Sequence, residues 1–272
     1  MAEIHPTAII EGNVNLANDV VVGPHCVLQG DISIGEGTTL VGSCYLTGTL
    51  VIGTSNVVYP CSCIGFAGQD VNYTHDQYDP GIAIGNNNTF RENVTVHRAT
   101  QEKPTTIGND NMFMTTAHVG HDCQIGNSVT MVTDSMLGGH SHIHDNVIVS
   151  GGAGVHQFCT IGKGAMLAGC MMTTYDVPPY FMLTGNNVIG SVNIIGMRRS
   201  DMDKSEITRR KDIFKLFYRS GNTISASVEQ LKEDGDPIAL EYVTFIENSR
   251  RGLVLPEHPM RSERRGVTKS NA

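Results

Sequence analysis

An apolar residue recurs at every sixth position from the start of the chain: Ile4, Ile10, Leu16, Val22, Leu28, Ile34, Leu40, Leu46, Ile52, Val58 and Ile64. The register lapses, resumes at Ile84, Phe90 and Val96, lapses again, and returns from Ile107 through Ile125 and Ile143 to Leu167. A glycine often follows, as in Ile34-Gly35, Ile52-Gly53 and Ile161-Gly162. A period of six matches neither a helix of about 3.6 residues per turn nor a lone strand of period two. It is the signature of a parallel β-helix built from hexapeptides, each a short strand plus a bend. The recurring residue points inward and stacks on its equivalents in coils about 4.8 Å above and below. Such a core is narrow and aliphatic, which agrees with the absence of Trp and an aromatic content of only 6%.

Charge divides the chain. Residues 1–190 carry 4 Lys/Arg against 15 Asp/Glu, and residues 191–272 carry 15 against 12. The expected organisation is a β-helix over 1–190, a helical domain over 191–255 and a flexible tail over 256–272. Inserted loops are expected near 65–83 and 101–106, where the hexad lapses. The seven cysteines are irregularly spaced and form no C-x-x-C. That points to free thiols in a reducing compartment. No signal-like segment and no run of about 18 apolar residues is present. A soluble cytoplasmic protein is expected, with no nucleic-acid partner and no stable membrane insertion.

The hexads resemble those of the hexapeptide-repeat acyltransferases. That resemblance implies a left-handed β-helix with three hexads per coil, and a homotrimer. Residues 18 apart then stack once the two insertions are removed. Ile64, Val96, Val119, Leu137 and Val155 fall on one side, and the residues just after them carry unusual chemistry. His97 and His156 take the next place, His121 the second and His140 the third. His118 precedes the column, and the loop with Gln69 and Asp70 leaves from the same side.

A closer resemblance rests on an ordered set of motifs: HRAT (97–100), AHVGHDC (117–123), GGH (138–140), VHQFCTIG (155–162), DVPPY (176–180) and FKLFYRSG (214–221). The set is similar to the acyl-ACP–UDP-N-acetylglucosamine O-acyltransferases, which open lipid A synthesis, from about Ile4 to about Leu253. The resemblance implies a His121 general base oriented by Asp122, an oxyanion donor at the Gly139 amide, and direct attack without an acyl-enzyme. It implies substrate contacts at Gln69, Asp70, His97, His118, His140, His156 and Gln157, and nucleotide contacts at Asn193, Arg198 and Arg199. It implies an acyl-length gauge at Gly169, where the competing reading is a glycine needed for the bend. No cofactor and no metal are expected, the acyl donor arriving on the phosphopantetheine of acyl carrier protein. Asn72, Asn187 and Ile195 depart from the family's common pattern and leave a 3-OH or a 3-NH2 acceptor open.

In the C-terminal part, DKSE (203–206) resembles a capping box. An amphipathic helix should follow and stop at Gly221, with two more near 223–234 and 237–249. Arg209, Arg210, Lys211 and Lys215 suggest docking of the acidic carrier protein, against plain solvation. Two rival readings are a zinc enzyme of the γ-carbonic anhydrase type, with His97, His121, His140 and His156 as ligands, and a non-catalytic scaffold.

Overall fold

Most hexads close as a two- or three-residue strand followed by a corner, while Ile9–Leu16, Val27–Ile34 and Tyr45–Ile52 each run on through a second hexad, and the strands pair in parallel with the coils before and after. The computed structural model describes residues 1–71 and 79–256, so Asn72 and almost all of the 256–272 tail lie outside the described residues. The chain is a parallel β-solenoid with a small C-terminal helical part. From Val22 to Leu167 the inward hexad residues are at most 4% exposed. Ile4 and Ile10 depart from this, at 46% and 37% exposed, because no coil covers the first one. The stacking expected across the insertions is observed. Ile64 pairs with Val96, Val96 with Val119, Val119 with Leu137, and Leu137 with Val155.

The glycines after the inward residues answer to coil spacing. A Cβ at Gly108 would stand 2.5 Å from the Gly126 carbonyl oxygen, so only glycine lets these backbones approach. Beside them the core carries polar rungs, whose side-chain amides donate to the carbonyls of Gly85, Gly108 and Gly126. Asn56, Asn88 and Asn111 are buried, and each Oδ1 accepts from the backbone of the next coil. Phe90 and Phe113 stack face to face at 4.9 Å in the same face of the prism.

A hairpin of Phe181–Gly185 and Val188–Val192 carries the solenoid into four helices: α1 (Ile194–Arg199), α2 (Lys204–Tyr218), α3 (Ile224–Asp234) and α4 (Pro237–Glu247). The helices dock through buried polar and aromatic contacts. The Tyr242 hydroxyl donates to the Pro179 carbonyl at 2.9 Å, and the Arg210 guanidinium lies 4.0 Å over the Tyr180 ring. Two expectations need correction here. Asp203 occupies the N-cap of α2 but makes no side-chain capping bond, so no capping box forms. Arg209 and Arg210 are not a free basic surface. Arg209 bonds Asp234 and Asp236 at 2.6 Å, and Arg210, 5% exposed, pairs with Glu241 at 2.8 Å.

Candidate active site

The corner after the Val96 to Val155 column gathers the histidines. Two stacks with an 18-residue step build it. Asp122, His140 and Phe158 form one, each in the left-handed region at φ of 60°, 59° and 66°. The same left-handed turn recurs at corners along the whole solenoid, as at Ser55, Asp110, Ser128 and Asn146, so the coil itself projects these side chains. His121, Gly139 and Gln157 form the other. The His121–His140 rings meet edge to face at 5.1 Å, and His140 lies flat on Phe158 at 4.4 Å.

Asp122 is the fixed point. Its carboxylate accepts from the Thr100 amide (3.0 Å), the Thr100 hydroxyl (2.8 Å) and the Gln101 amide (3.0 Å). It also meets His121 Nδ1 at 2.6 Å. Burial alone would push this carboxyl up, but the bonds from His121 and Thr100 hold it below the usual carboxylate range. An ionised carboxylate can only accept, so Nδ1 carries a proton, and in the neutral ring Nε2 is the nitrogen with the lone pair. Nε2 faces Gly139: a Cβ there would stand 2.6 Å from it. Among the described residues the Gly139 amide donates to no acceptor, whereas the Gly138 amide bonds Val155.

The neighbouring histidines are held neutral. Burial, with His118 and His121 close by, pushes the His97 imidazole down to about 4. Burial also lowers His118, whose Nδ1 meets the Thr95 hydroxyl at 2.7 Å, and lowers His140 against the pull of Asp122. His156 and Gln157 are exposed at the rim. The loop holding Gln69 and Asp70 passes directly over the site, since a Cβ at Gly68 would lie 2.9 Å from the His121 Cβ. The charge of Asp70 acts on His140. Arg98 pairs with Asp79 at 2.8 Å at the foot of this loop.

Asn193, Arg198 and Arg199 lie elsewhere. Asn193 is 5% exposed, caps α1 by accepting from the Gly196 amide, and donates to the Gly164 carbonyl. Arg198 is exposed on α1. Arg199 lines a cleft of about 1000 Å³ with Thr130, Ile148 and Met166. Those strands belong to the 12-stranded sheet, and the histidine strands belong to the 14-stranded one. Ile195 is 64% exposed at the same cleft, and Asn187 ties the hairpin to Thr174. Gly169 is exposed on another corner. A Cβ there would meet only the Gly151 carbonyl oxygen at 3.5 Å, and its φ lies outside the left-handed region, so the bend does not require glycine.

Sequence reasoning missed Thr100, Gln101 and Phe158. Phe158 was reachable by counting 18 from His140. Thr100 and Gln101 stand where the chain leaves the coil for the second insertion, and there the hexad count gives no position. As for metals, His121, Asp122 and His140 are the one group among the described residues whose ligand atoms converge, within 4.8 Å. His97 and His156 do not join them, so the four-histidine set does not assemble in this chain. A cation there would also have to displace the His121–Asp122 bond.

A family model described as UDP N-acetylglucosamine O-acyltransferase, domain 2, matches residues 176–254. An acyl-[acyl-carrier-protein]–UDP-N-acetylglucosamine O-acyltransferase of Aliivibrio salmonicida is 42% identical over 93% of this chain and 98% of its own. The UDP-N-acetylglucosamine acyltransferase of Francisella novicida superposes with a TM-score of 0.91 at 32% identity, covering 99% of this chain and 100% of its own. The O-acyltransferase of Moraxella catarrhalis gives 0.88 at 33% identity over 92% and 99%. With the solenoid, the histidine corner and these likenesses together, the chain belongs to the family of UDP-N-acetylglucosamine O-acyltransferases.

Proposed function

We propose that this chain transfers an acyl group from the thioester of acyl carrier protein to the 3-position of UDP-N-acetylglucosamine, the first step of lipid A synthesis. The observation that carries the mechanism is the contact set of His121: Asp122 holds Nδ1 at 2.6 Å, which leaves Nε2 against Gly139. His121 Nε2 takes the proton of the sugar 3-hydroxyl as its oxygen bonds to the thioester carbonyl carbon. The Gly139 amide donates to the oxyanion that forms. The carbon–sulfur bond then breaks, and Nε2 returns the proton to the departing thiolate. Asp122 stays ionised and fixes the tautomer, as in a hydrolase triad. The chain itself needs no cofactor, since the pantetheine thiol belongs to the donor.

His97, His118, His140, His156, Gln157, Gln69 and Asp70 surround the acceptor sugar in this reading. Arg198 and Arg199 take the diphosphate, for which guanidinium groups are well suited. Arg199, on α1, lines a cleft beside the 12-stranded sheet, whereas His121 sits at a corner of the 14-stranded one; a site shared between copies of the chain brings both to one substrate. That supports a homotrimer with its sites between subunits. No described helix is long and apolar enough to cross a membrane, which is consistent with cytoplasmic action.

The test is mass spectrometry of products from acyl carrier protein thioesters and UDP-N-acetylglucosamine, with His121→Ala alongside. The expected result is a singly acylated UDP-sugar, and a loss in kcat of roughly 10³-fold or more in the variant without unfolding. A variant retaining normal turnover would remove His121 from the role of base.

A further inference from the structure

Arg98 has no part in the chemistry above, yet it holds a place in the column of His121. It stands two residues after Val96, as His121 stands two after Val119, and those valines pair in register. Its side chain lies against Gly48 of an earlier coil. A Cβ at Gly48 would stand 2.8 Å from Arg98 Cδ and 3.0 Å from Cζ, so the guanidinium fills the space that this glycine leaves open. From that seat Nη1 reaches Asp79 Oδ2 at 2.8 Å, with the two side chains 17% and 25% exposed. Both charges are largely withdrawn from water, where loss of one partner costs far more than it does at a surface.

Both insertions are rooted at this point. The Arg98 amide donates to the Phe66 carbonyl at 3.0 Å, where the first insertion leaves the coil. Asp79, at its far end, also accepts from the Gly81 amide at 2.9 Å. The Gly81 carbonyl accepts in turn from the Ala99 amide at 3.3 Å and the Thr105 amide at 3.2 Å, on either side of the second insertion. Just beyond Arg98, Thr100 and Gln101 hold the Asp122 carboxylate. The first insertion brings Gly68 between Thr100 and His121: a Cβ there would stand 2.7 Å from Thr100 Cγ2 and 2.9 Å from His121 Cβ. We infer that Arg98 is a positioning residue for acyl transfer, locking the roots of both insertions together so that the loop of Gln69 and Asp70 and the cradle of Asp122 keep one fixed relation to His121. The inference rests on the acyl-transfer reading and deepens it. A lysine would meet Asp79 as a point charge but would bring no planar group to lie on Gly48.

The experiment compares the full-length protein with Arg98→Ala, Arg98→Lys and Asp79→Asn. Asp79→Asn frees the first insertion and leaves Arg98 on Gly48. KM for the UDP-sugar should rise about tenfold, with kcat within about threefold of the wild type. Arg98→Ala frees both roots, so the same rise should come with a fall in kcat of roughly 100-fold, as small displacements of reacting groups produce. KM for the acyl carrier protein thioester should stay within about twofold in every variant, and Arg98→Lys should recover part of kcat. Hydrogen exchange read by mass spectrometry answers without turnover. Peptides covering Thr100 and Gln101 should exchange about tenfold faster in Arg98→Ala, while Gln124–Ile125 and Thr130–Met131 keep wild-type rates. Faster exchange throughout the solenoid, or equal rises in both KM values, would make Arg98 a structural residue only and overturn the inference. Wild-type exchange at Thr100 and Gln101 would overturn it as well. Should Arg98→Ala fail to fold, Asp79→Asn decides: an unchanged KM for the UDP-sugar overturns the lock. A wild type that acylates no UDP-sugar but shows the expected exchange overturns only the transfer reading.

Discussion

Two glycines with one letter have opposite duties. At Gly139 any side chain would collide with His121 Nε2, so only glycine lets the imidazole come up to this backbone. At Gly169 the space beyond Cα is open and the backbone is ordinary, so nothing in the coil demands a glycine. In the acyl-transfer reading proposed above, the vacancy itself is the useful property, because it leaves room for a longer acyl chain. Gly169→Met should shift the preferred donor to a shorter acyl chain while the melting temperature changes by no more than a degree or two. Competition between donors of different length, read by mass spectrometry, checks this. An unchanged preference would return Gly169 to an incidental role.

At the scale of elements, the hexad dictated nearly everything within the solenoid. The inward residue, the glycine beside it and the step of 18 follow from sterics that repeat in every coil, so His121, His140 and His156 were placed correctly by counting. The count fails where the chain leaves the coil. Thr100 and Gln101, which fix Asp122, sit in such a departure, and Arg199 reaches its cleft through helix packing that no local pattern encodes. The helices show the same limit. Two Asp residues precede helices in similar contexts, yet only one caps. Asp236 accepts from the Ile238 and Ala239 amides at 3.0 Å and from Arg209, whereas Asp203 makes no capping bond. Asp236→Ala should therefore cost about 1–2 kcal/mol of stability, and Asp203→Ala less than half of that, by denaturant unfolding. Equal costs would mean that caps count for little in this part of the chain.

For the whole molecule, the separation of the histidine corner from the Arg199 cleft has a direct test. A mixture of inactive His121→Ala and Arg199→Ala chains, unfolded and refolded together, should regain part of the wild-type activity, since some mixed interfaces carry both intact groups. Activity no higher than that of either variant alone would place each complete site within one chain. Stability should also follow pH through the buried histidines. The folded state keeps His97 neutral down to about 4, whereas an unfolded histidine takes up a proton near 6.5. In that window the unfolded chain binds more protons, so stability falls as the pH drops from about 6.5 to about 4 and levels off below for this group. His97→Gln should flatten the fall, by up to roughly 3 kcal/mol at its lower end. Melting temperatures across that range measure it, and parallel curves for wild type and variant would refute it.

The buried asparagine rungs have a consequence for how such a chain can carry loops at all. Asn56 to Asn88 spans 32 residues, and Asn88 to Asn111 spans 23, where an uninterrupted coil would need 18. These are the two places at which the winding is broken by excursions. Each carboxamide therefore acts as a key, rejoining the thread at its proper pitch after a detour. A coil seated one hexad out would face the amide with hydrocarbon, which leaves a buried donor and acceptor unmet. The excursions can then vary in length and content without the screw losing its place.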